Sequence, residues 1–176
     1  MVNREDYNER LVSAARSVMI ELVHMLGEYK DDMVIVGGWV PALLLPLGSV
    51  GHVGSIDIDI AIDHRMIKED AYKTIKALLE DRGYIEDKRQ PFIFHREVTV
   101  EGQSIDVEID FLSGEYAGTG KSHRTQPVQD IRARKARGCE IAFEMNEFLT
   151  IDGTLPGGAR DSARFRVASI VPFIVM

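Results

Sequence analysis

Asp57 and Asp59 alternate with isoleucines in the run Ser55-Ile-Asp-Ile-Asp-Ile60. Alternation with period two places both carboxylates on one face of a strand, about 7 Å apart along the backbone. Two carboxylates aimed the same way repel unless a cation or a shared proton intervenes. Upstream, Val34-Ile-Val-Gly37-Gly38 ends an apolar run on two glycines, and an apolar segment follows from Trp39 to Leu45. A strand-to-helix turn without side chains lets phosphate oxygens approach backbone N–H groups. Together the two features read as a divalent-metal site beside a phosphate-binding turn.

A second acidic set lies in Asp106-Val-Glu108-Ile-Asp110, where the three acids share one face and Val107 and Ile109 the other. If this strand lies beside the first, one of its acids completes a three-carboxylate nest. Such a nest can hold two Mg²⁺ ions and steady the attacking and leaving oxygens of phosphoryl or nucleotidyl transfer. Mg²⁺ favours carboxylates, substrate phosphates and water, and needs no histidine. The competing reading is a sheet edge with solvated acids.

These residues need strands and turns to position them. Helical spacing predicts an amphipathic helix over 5–29, a strand over 33–36, a short helix over 39–45 stopped at Pro46, and a strand over 55–62. Residues 47–54 read as a loop. A helix is expected over 67–82, with Gly83 as a left-handed stop. Residues 92–100 and 104–112, joined by Glu101-Gly-Gln103, read as a hairpin. Residues 113–127 read as a long loop of functional interest, and 130–137 as a basic helical turn or two. Short strands are expected at 140–142, 148–151 and 164–170. The last ten residues are almost wholly apolar. Either this run docks as a buried strand or helix start, or the chain is a piece of something longer.

The 176 residues suit one domain, or one domain with a small appendage, and 45% hydrophobic with 28% charged residues is ordinary for a globular protein with a real core. A formal charge of −7 argues against coating nucleic acid by bulk electrostatics, but leaves room for a local basic patch. The single Cys139 excludes an internal disulfide and a cysteine zinc cluster, and suits a cytoplasmic protein. No apolar run is long enough to cross a bilayer, so no membrane partner is expected.

Gly37-Gly38, then Gly51-His52-x-x-Ser55-x-Asp57-x-Asp59, then Val107-Glu-Ile-Asp110-Phe-Leu-Ser resembles the DNA polymerase β-type nucleotidyltransferase superfamily. Within it the pattern is most similar to the minimal AbiEii-type enzymes, many of them toxins of toxin–antitoxin pairs. The resemblance spans roughly residues 33–112, and is weaker over 164–169. It implies an α+β fold, a two-layer mixed β-sheet with helices packed mainly on one face. It also implies two Mg²⁺ ions as cofactor and transfer of a nucleoside monophosphate from an NTP to a hydroxyl of RNA (a tRNA end, for example) or of a protein. By similarity, Asp57 and Asp59 would be the first two metal ligands and Asp110 the third, with Glu108 the second choice. Gly37, Gly38 and Ser55 would lie along the triphosphate. An antitoxin-like protein becomes a possible partner. Two departures stand out: eighteen residues separate Gly38 from Asp57, longer than the family's usual gap, and the family's helical second domain would begin where this sequence stops.

Gly118-Thr-Gly-Lys-Ser122 is not a P-loop, because Glu115 stands where that pattern requires glycine. Lys121 and Arg124 are instead candidate contacts to substrate phosphates or an RNA backbone. Arg132, Arg134, Lys135 and Arg137 form either a solvated helix face or an electrostatic guide for a polyanionic acceptor. The five histidines have no metal-ligand spacing. Two further functions use the same residues: a non-catalytic binding or regulatory relative, and a phosphohydrolase with water as acceptor.

Overall fold

The computed structural model describes residues 4–45, 55–67, 73–115 and 125–176, with side chains from residue 9 onward. Lys121 and Arg124 lie outside the described residues, as do His52 and the 118–122 segment.

The described residues form a mixed α+β architecture. Helix α1 (Arg4–Met25) leads through a 3₁₀ turn (Gly27–Asp32) into β1 (Met33–Val36), followed by α2 (Trp39–Leu44) and β2 (Ile58–Ile62). Then come α3 (Ile75–Asp81), β3 (Ile85–Glu86), β4 (Ile93–Val100) and β5 (Gln103–Gly114). The chain continues through β6 (Thr125–Val128), β7 (Ile131–Ala136), α4 (Cys139–Glu144), β8 (Asn146–Thr154), β9 (Arg160–Ala168) and α5 (Ile170–Val175). Sheet order is β3-β4-β5-β2-β1-β9-β8, and β7 joins the far end of β5 and carries β6. Pairing is mixed: β2–β5, β5–β7 and β1–β9 run parallel, the rest antiparallel.

The core lies where α1 meets the sheet. Ala14, Ala15, Val18, Met19, Leu22 and Leu26 recur at helical spacing and are buried. Leu22 and Leu26 line a small apolar cavity with Ile35, Ile60 and Phe165 from the sheet. The register pairs Ile58 with Ile109 and Ile60 with Phe111, so these side chains share the α1-facing side. The intervening residues, Asp59 and Asp110 among them, turn to the other side. One polar cluster ties helix to sheet: the buried Glu21 carboxylate accepts from the Tyr84 hydroxyl at 2.9 Å and from Arg96 Nε at 3.0 Å.

Several expectations change on contact with the fold. The strand expected from Ser55 begins at Ile58, and residues 55–57 form an approach bend. The helix expected from residue 67 begins at Ile75, because Thr74 adopts an extended backbone and its side chain accepts from Ala77 N–H as an N-cap. Gln129 and Asp130 also accept from the N–H groups of Ile75 and Lys76, closing that helix start. Gly83 is left-handed, as expected of a helix stop, at φ +81°. The hairpin turn narrows to Glu101-Gly102, both at positive φ, the geometry of a two-residue turn matching strand twist. The basic helical turn expected over 130–137 is strand β7, whose Ile131 and Ala133 are buried and alternate with Arg132 and Arg134. The strand expected at 140–142 is helix α4, begun after the left-handed Gly138 (φ +77°). Residues 170–175 form a short helix in which Pro172 is buried while Ile174 stays exposed. No helix among the described residues is long and apolar enough to cross a membrane.

Candidate functional site

Three strands and one turn bring the acids together. β2 and β5 are parallel neighbours in which Asp59 stands opposite Asp110 and Ile58 opposite Ile109. Register partners on parallel strands point to the same side, so both carboxylates rise from one face. Glu108 lies two residues before Asp110 on that face, and Asp57 approaches from the bend preceding β2. The two acidic segments are thus neighbours in the sheet, with Asp59 and Asp110 side by side.

The glycine turn closes against the same carboxylate. β1 ends at Val36, opposite Asp59, and Gly37 follows at φ +66°. A Cβ on Gly37 would fall 2.0 Å from Asp59 Oδ2, so no other residue fits there without moving the acid. A Cβ on Gly38 would fall 2.8 Å from Ser55 Oγ, which brings the expected phosphate-side serine onto the turn. The Gly38 N–H donates to Asp59. Gly37, Gly38, Ser55 and Asp59 thus make one contiguous unit.

The electrostatics follow from this crowding. Burial pushes the Asp59 carboxyl up to about 6, the charges of Asp110 and Asp57 push the same way, and Arg134 and the Gly38 N–H pull down. Burial also raises Glu108, with Asp57 and Asp110 adding to it. Asp110 is raised as well, since its burial outweighs the guanidinium beside it. Asp59, Glu108 and Asp110 therefore each resist carrying their charge without a cation.

Arg134 supplies a cation beside them; the sequence marked it only as part of a basic cluster, a solvated helix face or an electrostatic guide, and not as the partner of Asp110. From β7 its Nε and Nη2 both donate to Asp110 Oδ2, at 3.0 and 2.6 Å. The parallel register that sets Arg134 opposite Leu112 puts it on the carboxylate side of β5. The legible signal was the period-two run Ile131-Arg-Ala-Arg134 behind a Gln-Asp turn. Asp110 Oδ1 is buried and has no hydrogen-bond partner among the described residues.

The oxygen donors are of the hard kind that Mg²⁺ takes, and the orphaned Asp110 Oδ1 fits such an ion. Among the described residues, however, no three acidic, histidine or cysteine side chains are already drawn together as a ligand set. Asp106 is engaged elsewhere, its Oδ2 lying 2.7 Å from His95 Nδ1. Comparison of the chain with protein-family models, curated proteins and solved structures found no match.

Proposed function

We propose that this protein is a metal-dependent nucleotidyltransferase with a nucleotidyltransferase fold, moving a nucleoside monophosphate from an NTP to a hydroxyl of RNA or protein. The observation that carries the reading is the Asp59–Asp110 register pair seated against the Gly37-Gly38 turn. Asp57, Asp59 and Asp110 would hold the metal, with Glu108 beside them. When bound, Mg²⁺ would neutralise the triphosphate and the leaving pyrophosphate. Gly37 and Gly38 offer a side-chain-free approach to backbone N–H groups, and the Ser55 hydroxyl can donate to a phosphate oxygen at the same edge. Asp110 would help accept the acceptor's proton. A role as the toxin of a toxin–antitoxin pair belongs to this same reading.

A second reading rests on the Arg134–Asp110 ion pair. A chain that already neutralises its third acid can serve as a non-catalytic binding module. The two separate in one experiment. Incubation with Mg²⁺, each labelled NTP and total RNA or protein should transfer label, and Asp57→Asn and Asp59→Asn should abolish transfer. Triphosphate binding without transfer favours the binding module, and pyrophosphate or phosphate release without label transfer favours a hydrolase. If wild type neither binds an NTP with Mg²⁺ nor transfers label, the transferase reading fails.

A further inference from the structure

Building on the transferase reading, we propose that Arg134 is an exchangeable counter-ion, holding Asp110 in the metal-free protein and passing to the substrate's phosphates when the metal takes its place. The grip is two-pronged yet confined to one carboxylate oxygen: Nε and Nη2 converge on Oδ2 and leave Oδ1 buried without a partner. A purely structural ion pair at a buried carboxylate would satisfy both oxygens, because an orphaned buried acceptor loses the full benefit of hydration. The arrangement instead leaves Asp110 half-satisfied and ready for a second partner.

Arg134 is built to move. Its side chain is 43% exposed, against 12% for that of Asp110, so the acid is fixed and the guanidinium reaches it from the solvent side. The guanidinium carbon sits 6.0 Å from the Phe92 ring centre, an apolar surface along which the planar group can slide. Strand β7 pairs with β5 only beyond the acids, through Leu112, Ser113 and Gly114, so the backbone bearing Arg134 stays anchored while its side chain is free to swing. A guanidinium released from a carboxylate finds an equivalent two-oxygen partner in a phosphate. A metal arriving alone must displace Arg134 against its attraction for Asp110. A metal arriving with a triphosphate offers the arginine a new anion in the same event. The exchange favours metal and nucleotide binding together over metal alone.

The test is calorimetric titration of Mg²⁺ alone, and of a non-hydrolysable NTP analogue in excess Mg²⁺, into wild type, Arg134→Met and Arg134→Lys. Arg134→Met should bind Mg²⁺ alone roughly tenfold tighter and the Mg²⁺-bound analogue roughly tenfold weaker, a crossing of opposite signs. Arg134→Lys, a point charge without the fork, should lie between and guards against misfolding of the methionine variant. Unchanged Mg²⁺ affinity in both variants, or affinities that fall together, would overturn the exchange while leaving the transferase reading intact. If wild type and both variants bind neither Mg²⁺ nor the analogue, the transferase reading and the exchange fall together.

Discussion

Asp59 and Asp110 occupy opposite positions on parallel strands, so two partly buried carboxylates face the same way one inter-strand step apart. This arrangement opposes folding of the metal-free chain, and most of the protein's testable behaviour follows from it.

The first consequence is a pH dependence. An unfolded aspartate titrates near 4, whereas the native Asp59 titrates at about 6. The folded state therefore holds a proton between those values that the unfolded state has lost. Stability conferred by the protonated acid is complete at low pH and declines as pH rises from about 4 to about 6. In buffer with chelator, melting temperature should fall across that window, and Asp59→Asn should flatten the fall. A slope of opposite sign in wild type, or an unchanged slope in the variant, would refute the assignment.

At pH 7 the same substitution should raise the stability of the metal-free protein by about 1–2 kcal/mol, after discounting for partial solvent screening. Differential scanning fluorimetry with chelator measures it. Transfer activity should vanish in the same variant, so stability and activity move in opposite directions. Loss of both would mark Asp59 as structural.

Gly37→Ala tests the turn. Its added methyl would overlap Asp59 Oδ2, and an alanine at φ +66° is strained on its own. We expect a loss of about 2 kcal/mol in urea unfolding and abolition of nucleotide binding. Gly157→Ala is the control, since nothing lies near a Cβ at that position, and it should leave both unchanged.

Glu21 anchors α1 to the sheet through Tyr84 and Arg96. Removing the acid with Glu21→Ala leaves a buried hydroxyl and a half-buried guanidinium without their acceptor. A loss of about 2–3 kcal/mol is expected, read as a lower urea midpoint at unchanged slope. Tyr84→Phe removes only one donor and should lose about 1 kcal/mol. Equal effects of the two substitutions would show that Arg96 gains nothing from Glu21.

What was readable beforehand, and what was not, divides along chain distance. Asp59 and the glycine pair carry their meaning in local spacing, because strand period and turn chemistry act over a few residues, whereas Asp57, expected beside Asp59 on one strand face, sits in the bend before β2. Asp110 was readable as a candidate through the same alternation, although its neighbour across the sheet is set by a parallel pairing that spacing alone does not specify. The pairing of Arg134 with Asp110 was hidden for two reasons. Its segment is short enough that a basic strand and a basic helical turn look alike, and its partner lies on β5, far upstream. The late start of α3 was hidden similarly: apolar spacing extends back to Ile67, but Thr74 closes the helix from outside the apolar pattern. At 140–142 a cue of two apolar residues, Ile141 and Ala142, suited strand or helix equally, and the left-handed Gly138 decided for helix.

The Glu101-Gly102 turn has a consequence for the order in which the chain assembles. It zips β4 to β5 between near neighbours in sequence, while β2 must find β5 from about fifty residues away. The hairpin, with Glu108 and Asp110 already on it, can thus form before Asp59 is brought opposite Asp110, and the conflict between the two strands' acids is deferred to the closing stage of folding. In stopped-flow kinetics, Asp59→Asn should slow unfolding and leave the refolding rate nearly untouched.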